Sequence, residues 1–230
     1  MHQRVTGWMA VAMTLTLLLA SAPAWADDAQ DARQLVEKAK LTVEEFQTDK
    51  NMDSLRDLAK RAKGMLILPQ MVRAAFILGA SGGSGVLVAH EGGQWRGPTF
   101  HTLGGASFGF QAGADAAEVI IVALTERGVN KLMDSQVKLG ADISVTAGPV
   151  GAGAAAATAG LSADLVSYSI AKGLYGGFSV DGSVVGSRTS LNHAFFGKPV
   201  TPADILIKGA VKSPQAEGLL QAVTKLAGGR

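Results

Sequence analysis

Residues 138–153 have the sequence KLGADISVTAGPVGAG, the stretch that says most about the fold. As far as Thr146 its apolar and polar residues alternate, and a period of two is typical of a strand with one buried face. The residues predicted to share that face are Leu139, Ala141, Ile143 and Val145. The pattern breaks at Gly148-Pro149, because proline cannot donate to a strand ladder and glycine permits a positive φ. The sequence therefore predicts a strand that runs into a turn.

Further strands are predicted on both sides of this stretch. Their runs are either rich in β-branched and aromatic residues or alternate between apolar and polar. The predicted strands are 86–88, 94–103, 104–113, 118–124, 165–172 and 174–180. Asp181-Gly182 follows the last of them and predicts the turn of a hairpin.

Helical periodicity is found near both ends of the chain. Residues 28–49 carry apolar residues at spacings of three and four, and a short second helix is predicted to stop at Gly64. Thr125 can cap a helix after the buried strand, Thr201 begins a capping pattern, and Ser213-Pro214 opens a final helix. Strands in succession between terminal helices predict an α+β fold with a mainly antiparallel, strongly curved, glycine-rich sheet.

The start of the chain has the features of a cleaved signal peptide. Arg4 is followed by an apolar run, and Ala24-Trp25-Ala26 is a small-x-small cleavage pattern. The apolar run is shorter than the ~20 residues that span a bilayer. The expected organisation is a signal peptide in 1–26 and one domain in 27–230, with N-terminal helices in 27–63 and C-terminal helices in 201–228.

Charge is concentrated in one segment. The formal net charge of +2 does not favour a nucleic-acid partner. Between residues 56 and 73, however, five bases stand against Asp57 alone. These bases are Arg56, Lys60, Arg61, Lys63 and Arg73. A solvated helix face is the commonest explanation of such a cluster, and a surface for anionic phosphates is the alternative.

Residue types suited to catalysis or metal binding are scattered. The histidines do not have the spacing of helical metal ligands and the chain has no thiol, so no metal and no cofactor are expected. The glycine-rich run 79–85 lacks the Lys-Ser/Thr of a phosphate-binding loop. A hydrolase could use Ser84 with His90 or His101 and Asp115, but only the residue types suggest it. We expect no enzymatic activity.

Several segments, in order, resemble the SYLF lipid-binding domain family. They are AKGMLILP (62–69), GGSGVLVA (82–89), Trp95 to Pro98 with LGGASFGFQAG (103–113), LGADISVTAGPVG (139–151) and YSIAKGLYGGFSVDGSVV (168–185), ending at Phe195-Phe196-Gly197. The resemblance extends from about Leu55 to Gly197. So many similar segments in the same order argue against chance similarity.

The resemblance implies a lipid-binding module. Eukaryotic members of the family bind phosphoinositides, in part through an N-terminal amphipathic helix and basic residues, and some associate with actin through added domains. An exported bacterial member would meet neither actin nor phosphoinositides, and neither an SH3 nor a FYVE domain is recognised beside this one. We therefore expect anionic phospholipid as the partner and no actin.

The leading hypothesis is a non-catalytic protein of the cell envelope, periplasmic and peripheral to the membrane. The basic cluster would hold lipid phosphates, and an apolar helix stripe would enter the interface. That stripe is Leu35, Val36, Val43 and Phe46, with Leu55 and Leu58 as the alternative. Two other functions stay open: a structural module that binds an envelope protein, and a carrier that encloses one acyl chain within the curved sheet. Whether helix 28–50 packs on the domain or lies on a membrane is also open.

Overall fold

The computed structural model describes residues 24–75, 78–108, 113–151, 162–172 and 179–229. Within these ranges the chain forms six α-helices, eight strands and one short 3₁₀ helix. In chain order they are α1 Ala24–Thr48, α2 Asp53–Ala59, β1 Gly64–Ala75, β2 Leu78–Glu91, β3 Gln94–Phe108, β4 Gly113–Ala123, α3 Glu126–Met133, β5 Gln136–Lys138, β6 Val145–Ala147, β7 Leu165–Lys172, β8 Val184–Ser187, α4 Thr189–Phe196, α5 Pro202–Leu206, the 3₁₀ helix Pro214–Ala216 and α6 Glu217–Leu226.

The eight strands form one strongly curved sheet in the order β5-β8-β3-β2-β1-β4-β7-β6. Neighbouring strands are antiparallel, except that β6 and β7 run parallel. The long strand β1 pairs with β2 on one side and with β4 on the other. The predicted α+β class, with a mainly antiparallel curved sheet, is confirmed.

The middle of the sheet is buried on both faces. On β1, Met65 and Ile67 lie in one hydrophobic core, and Leu66 and Leu68 lie in a second. The first core includes residues of α1, α2, α4 and α6, and the second includes residues of α3 and α5. A strand covered on both sides needs a continuous apolar run, which explains why residues 65–68 do not alternate. The sheet is therefore the middle of three layers.

Helix α1 packs against the domain with its apolar stripe. Val36, Val43 and Phe46 are buried in the first core, and Leu35 is partly buried against it. Along its length α1 contacts α4, α6 and β1. In this conformation, therefore, the helix packs on the domain with its stripe in the core, and the stripe is not available to a membrane.

The strand predicted over 138–146 is wrong in its middle. Only the two ends are strands, β5 and β6, and the chain turns between them. Two local features cause the turn. The Asp142 carboxylate accepts a hydrogen bond from the Lys138 N–H at 2.7 Å, and Gly140 has a φ of +83°. An aspartate that binds a nearby backbone N–H gives the chain an alternative to the strand ladder.

The burial predicted for this stretch is correct in part. Leu139 and Ile143 are buried and form an isolated bridge with each other. Ala141 is exposed at the turn, and Val145 is half-buried on β6. The period of two thus identified core residues, although it did not identify the turn that brings them together.

Some other strand predictions fall wholly or partly outside the described residues. This applies to 109–112 and to 173–178. Asp181-Gly182 does form a turn, in which the Ser183 N–H donates to the Val180 carbonyl at 3.1 Å. The strand after the turn, β8, pairs with β3 and β5 among the described strands, so a local hairpin does not explain its position.

The predicted starts of α3 and α5 are confirmed by their caps. The Thr125 hydroxyl accepts from the Gly128 N–H at 3.0 Å and donates to the Asp164 carboxylate at 2.7 Å. The hydrogen bond from the Thr125 hydroxyl is the main cause of the lowered pKa of Asp164. Thr201 and Asp204 form a reciprocal capping box at α5. The hydrogen bond from Thr201 is likewise the main reason that the pKa of Asp204 is lowered.

The turn after β6 closes over the side chain of Tyr168. Gly148 lies so near the ring that a Cβ at this position would overlap ring atoms. Next along the chain, the Pro149 carbonyl accepts a hydrogen bond from the Ser54 hydroxyl on α2. Tyr168 is buried, and burial raises the pKa of its hydroxyl. The turn predicted at Gly148-Pro149 therefore ties the edge of the sheet to α2.

Replacing Gly148 with Ala should lower the free energy of unfolding by about 1–3 kcal/mol, because the added methyl group meets the Tyr168 ring in a packed core. Urea denaturation followed by circular dichroism measures the change. Gly186→Ala is the matched control, since a Cβ there would lie 3.6 Å from its nearest neighbour, an ordinary contact. Wild-type stability in G148A would contradict the packing described.

Strand β3 carries a buried histidine. His101 is 1% exposed, and its Nε2 lies 2.8 Å from the Thr99 hydroxyl oxygen. Its Nδ1 has no hydrogen-bond partner among the described residues. Burial lowers the pKa of His101 to about 4, so the ring is neutral near pH 7. The protein therefore holds an imidazole that it can protonate only at a cost in stability.

Acid should therefore destabilise the protein through His101. Because its folded pKa of about 4 lies below the unfolded value of 6.5, protonation favours the unfolded chain, and stability falls as the pH decreases from 6.5 toward 4. Between pH 7 and pH 4.5, the wild type should lose about 2 kcal/mol more unfolding free energy than His101→Gln. Urea titrations at the two pH values test this. Parallel losses in both proteins would show that His101 is not the group responsible.

Candidate functional site at the basic corner

Arg56 is engaged within the fold. Its guanidinium donates to the carbonyl oxygens of Gln47 and Asp49, both at 2.9 Å, and forms an ion pair with Asp53. Gln47 and Asp49 lie at the end of α1, where the last carbonyl groups of a helix lack intrahelical partners. Arg56 therefore joins α2 to the end of α1.

Lys60, Arg61 and Lys63 are exposed where α2 leads into β1, and we call these three residues the basic corner. The Lys60 Nζ is 2.7 Å from the Asp57 carboxylate, and the Lys63 Nζ is 3.9 Å from that of Glu126. Exposed ion pairs of this kind contribute little to stability. Either lysine can therefore exchange its carboxylate partner for another anion.

The other predicted site residues lie elsewhere. Arg73 is near the far end of β1, about 30 Å from Lys63 along an extended strand, and its register partner is Asp115. The apolar stripe of α1 is packed in or against the first core. Of the nine residues predicted to bind lipid, the structure thus brings three together on an exposed surface, and their role in lipid binding stays a prediction.

A groove borders the basic corner beside the β2–β3 hairpin, and we call it the Trp95 groove. It has two lobes of about 480 and 320 Å³, which share Trp95 and Leu220 among their lining residues. Lys60 lines the first lobe and Lys212 the second. The ring of His90 lies 5.2 Å from that of Trp95. No sequence pattern could indicate this groove, because its walls come from α2, the hairpin, the segment before α6, and α6 itself.

Arg96 connects the hairpin to the segment after α5. Its guanidinium donates to the Ile207 carbonyl and lies against Gly209, which has a φ of +60°. The Ile207 side chain is 36% exposed and lines a hollow together with Lys63. An exposed apolar side chain therefore lies beside the basic corner.

Ser84 and His101, two of the residues suggested for a hydrolase, lie on opposite faces of the sheet. Ser84 pairs with Thr102, whereas His101 pairs with the next residue of β2, so the two side chains point to opposite faces of the sheet. The Ser84 hydroxyl instead accepts a hydrogen bond from the Arg188 guanidinium at 3.3 Å.

The described ranges contain no group of three or more side chains suited to a metal ion. In the same ranges, no helix combines the length and the apolar character needed to cross a membrane.

The fold and the corner together define a curved-sheet domain with an exposed basic surface. Residues 104–226 match the Ysc84 family, described as "Las17-binding protein actin regulator". The chain belongs to this family, and the resemblance to SYLF domains is confirmed.

Curated relatives include proteins from yeast and human. The chain is 34% identical over 165 residues to LAS seventeen-binding protein 3 of Saccharomyces cerevisiae. The matched region is 70% of this chain and 36% of the relative. It is 36% identical over 163 residues to Protein YSC84 of the same yeast, and the matched region is 68% of this chain and 34% of the relative. It is 30% identical over 164 residues to human SH3 domain-containing YSC84-like protein 1, and the matched region is 70% of this chain and 48% of the relative. The chain thus spans between about a third and a half of the length of these relatives.

Arg56 and Lys60 should differ in their effect on stability. Arg56→Gln removes the hydrogen bonds to the end of α1 and should lower the free energy of unfolding by about 1–3 kcal/mol. Lys60→Gln removes only an exposed ion pair and should change it by less than about 0.5 kcal/mol. Chemical denaturation of the two variants provides the comparison. An Arg56 variant as stable as the Lys60 variant would refute the capping role.

Proposed function

We propose that the protein is a non-catalytic lipid-binding protein that associates with anionic phospholipid head groups at the basic corner. The observation that carries the proposal is the exposure of Lys60, Arg61 and Lys63 at one junction. Each basic group near an anionic membrane adds about 1 kcal/mol of attraction. The chain belongs to the Ysc84 family, which is related to lipid-binding regulators in eukaryotes, and this membership supports the same function.

The apolar contact with the membrane is proposed to come from outside α1. The stripe of α1 is packed in the first core, and its release would expose Val43 and Phe46 to water. Ile207 is already exposed and shares a hollow with Lys63. A base and an apolar side chain at one surface suit the interface between head groups and acyl chains.

The proposed location is the periplasmic surface of a bacterial membrane. It depends on the signal peptide expected in 1–26, whose first 23 residues lie outside the described ranges. At such a surface the available anions would be phospholipid head groups. The protein would act as a peripheral component of the envelope.

A second candidate function is a protein-interaction module of the envelope. Two large apolar side chains away from the basic corner favour it: Leu41 on α1 is 55% exposed and Val72 on β1 is 45% exposed. The names of the family and of a yeast relative refer to binding of Las17, another protein. We propose an envelope protein as the alternative partner, and we expect no actin for an exported chain.

Flotation with lipid vesicles tests the leading proposal. Changing Lys60, Arg61 and Lys63 together to Gln should weaken binding to phosphatidylglycerol vesicles about a hundredfold, because three favourable charges are lost. The control changes three other exposed lysines to Gln and removes the same total charge. These lysines are Lys38, Lys50 and Lys138.

Wild-type binding should require anionic lipid and should fall as salt rises, since exposed charges are screened. Arg56 is left unchanged in this design, because its loss would disturb α1. Equal weakening in the corner variant and in the control would point to net charge instead of the corner. A wild type that ignores both anionic and neutral vesicles would favour the protein partner.

A further inference from the structure

The Trp95 groove has an apolar lining suited to an aliphatic chain. Its apolar wall residues include Ala59, Trp95, Val211, Pro214, Leu220 and Ala227. The two lobes, of about 480 and 320 Å³, are within the range of roughly 300–1,000 Å³ that is usual for small-ligand sites. Trp95 and Leu220, where the lobes meet, pack against the first core from one side. The groove is therefore preformed by the packing of the domain.

The charges that line the groove are mainly positive. Lys60, Arg96 and Lys212 line the two lobes, and Glu217 is the one acidic side chain among the lining residues. Lys60 belongs both to the basic corner and to the first lobe. An anionic group held at the corner would thus lie next to the entrance of an apolar groove.

We propose that the Trp95 groove binds one single-chain anionic lipid, with its head group at Lys60 and its chain along Trp95 and Leu220. This inference rests on the proposed function, because the head group uses the basic corner. An aliphatic chain needs no hydrogen-bond partners in the groove. A peptide, in contrast, would have to satisfy its N–H and C=O groups against apolar walls, one of them Pro214, which has no N–H to offer.

Fluorescence of Trp95 provides a direct readout of the groove. The sequence has three tryptophans, so Trp8→Phe and Trp25→Phe leave Trp95 as the sole reporter, whether or not residues 1–26 are cleaved. We expect its emission to change on titration with dodecanoate below the critical micelle concentration, with one site per chain. Dodecanoate should bind about tenfold more tightly than decanoate, because two more methylene groups are buried. Dodecyltrimethylammonium, which has the same chain and the opposite charge, should bind at least tenfold more weakly.

Matched variants in this background assign the site. Leu220→Gln should weaken dodecanoate binding at least tenfold, and Lys60→Gln should weaken it about threefold to tenfold. Glu217→Gln should strengthen binding by a similar factor, which a damaged fold would not do. Leu41→Gln, at an exposed leucine outside the groove, should leave affinity unchanged. Thermal unfolding of each variant shows whether it is folded.

The outcomes separate this inference from the proposed function. Vesicle binding without dodecanoate binding overturns the groove and leaves the membrane proposal standing. Dodecanoate binding that depends on Leu220 and Glu217, without vesicle binding, supports the groove and overturns the membrane proposal. The groove proposal is also overturned if dodecanoate and decanoate bind with equal affinity. It is overturned as well if Leu41→Gln lowers the affinity for dodecanoate as much as Leu220→Gln does.

Discussion

Burial of the central strands on both faces is the constraint on which the rest of this structure depends. β1 and β4 have apolar side chains on both sides, so the chain must supply two covering layers. One layer joins the first and last described helices, because α1 and α6 pack against each other and lie in the same core. The end of the sheet near the β2–β3 hairpin retains exposed charges. The position of the basic corner and of the Trp95 groove is a consequence of this layering.

The basic cluster shows how a fold assigns different roles to similar residues. Arg56 and Lys60 lie four positions apart, yet one guanidinium binds the end of α1 while the neighbouring amine is exposed at a groove. Arg73 is carried to the other end of β1 by the extension of the strand. Five charges that form one cluster in the sequence thus become a structural cap, a surface and a distant strand residue.

Sequence reasoning succeeded where the determining interactions are local. The periodicity of α1, the caps at Thr125 and Thr201, and the strand at 165–172 all depend on neighbouring residues. It failed where a distant segment decides. β8 is placed by β3 and β5, and α4, which begins without a side-chain cap, is held by Asn192 binding the Phe100 N–H at 3.0 Å. For the same reason the Trp95 groove, built from residues 59–62, 90–97 and 209–229, has no linear pattern. The turn at Gly140 and Asp142 is the exception, a local feature hidden by an alternation that suited a strand equally well.

The lengths of the strands have a consequence for behaviour in concentrated solution. The central strands β1 to β4 have 11–15 residues, whereas β5 and β6, the outermost in the strand order, have three residues each. A long, flat outer strand offers free backbone groups on which another chain can add and start aggregation. Here the outermost described strands are too short to offer such a template, and β1, β2 and β4 each have a partner strand on both sides. Among the described residues, β8 pairs with β3 only over His101–Gly104. The strand order thus keeps the apolar edges of β1 and β4 away from edge-to-edge association, whereas the outer edge of β3 is covered only in part by a strand.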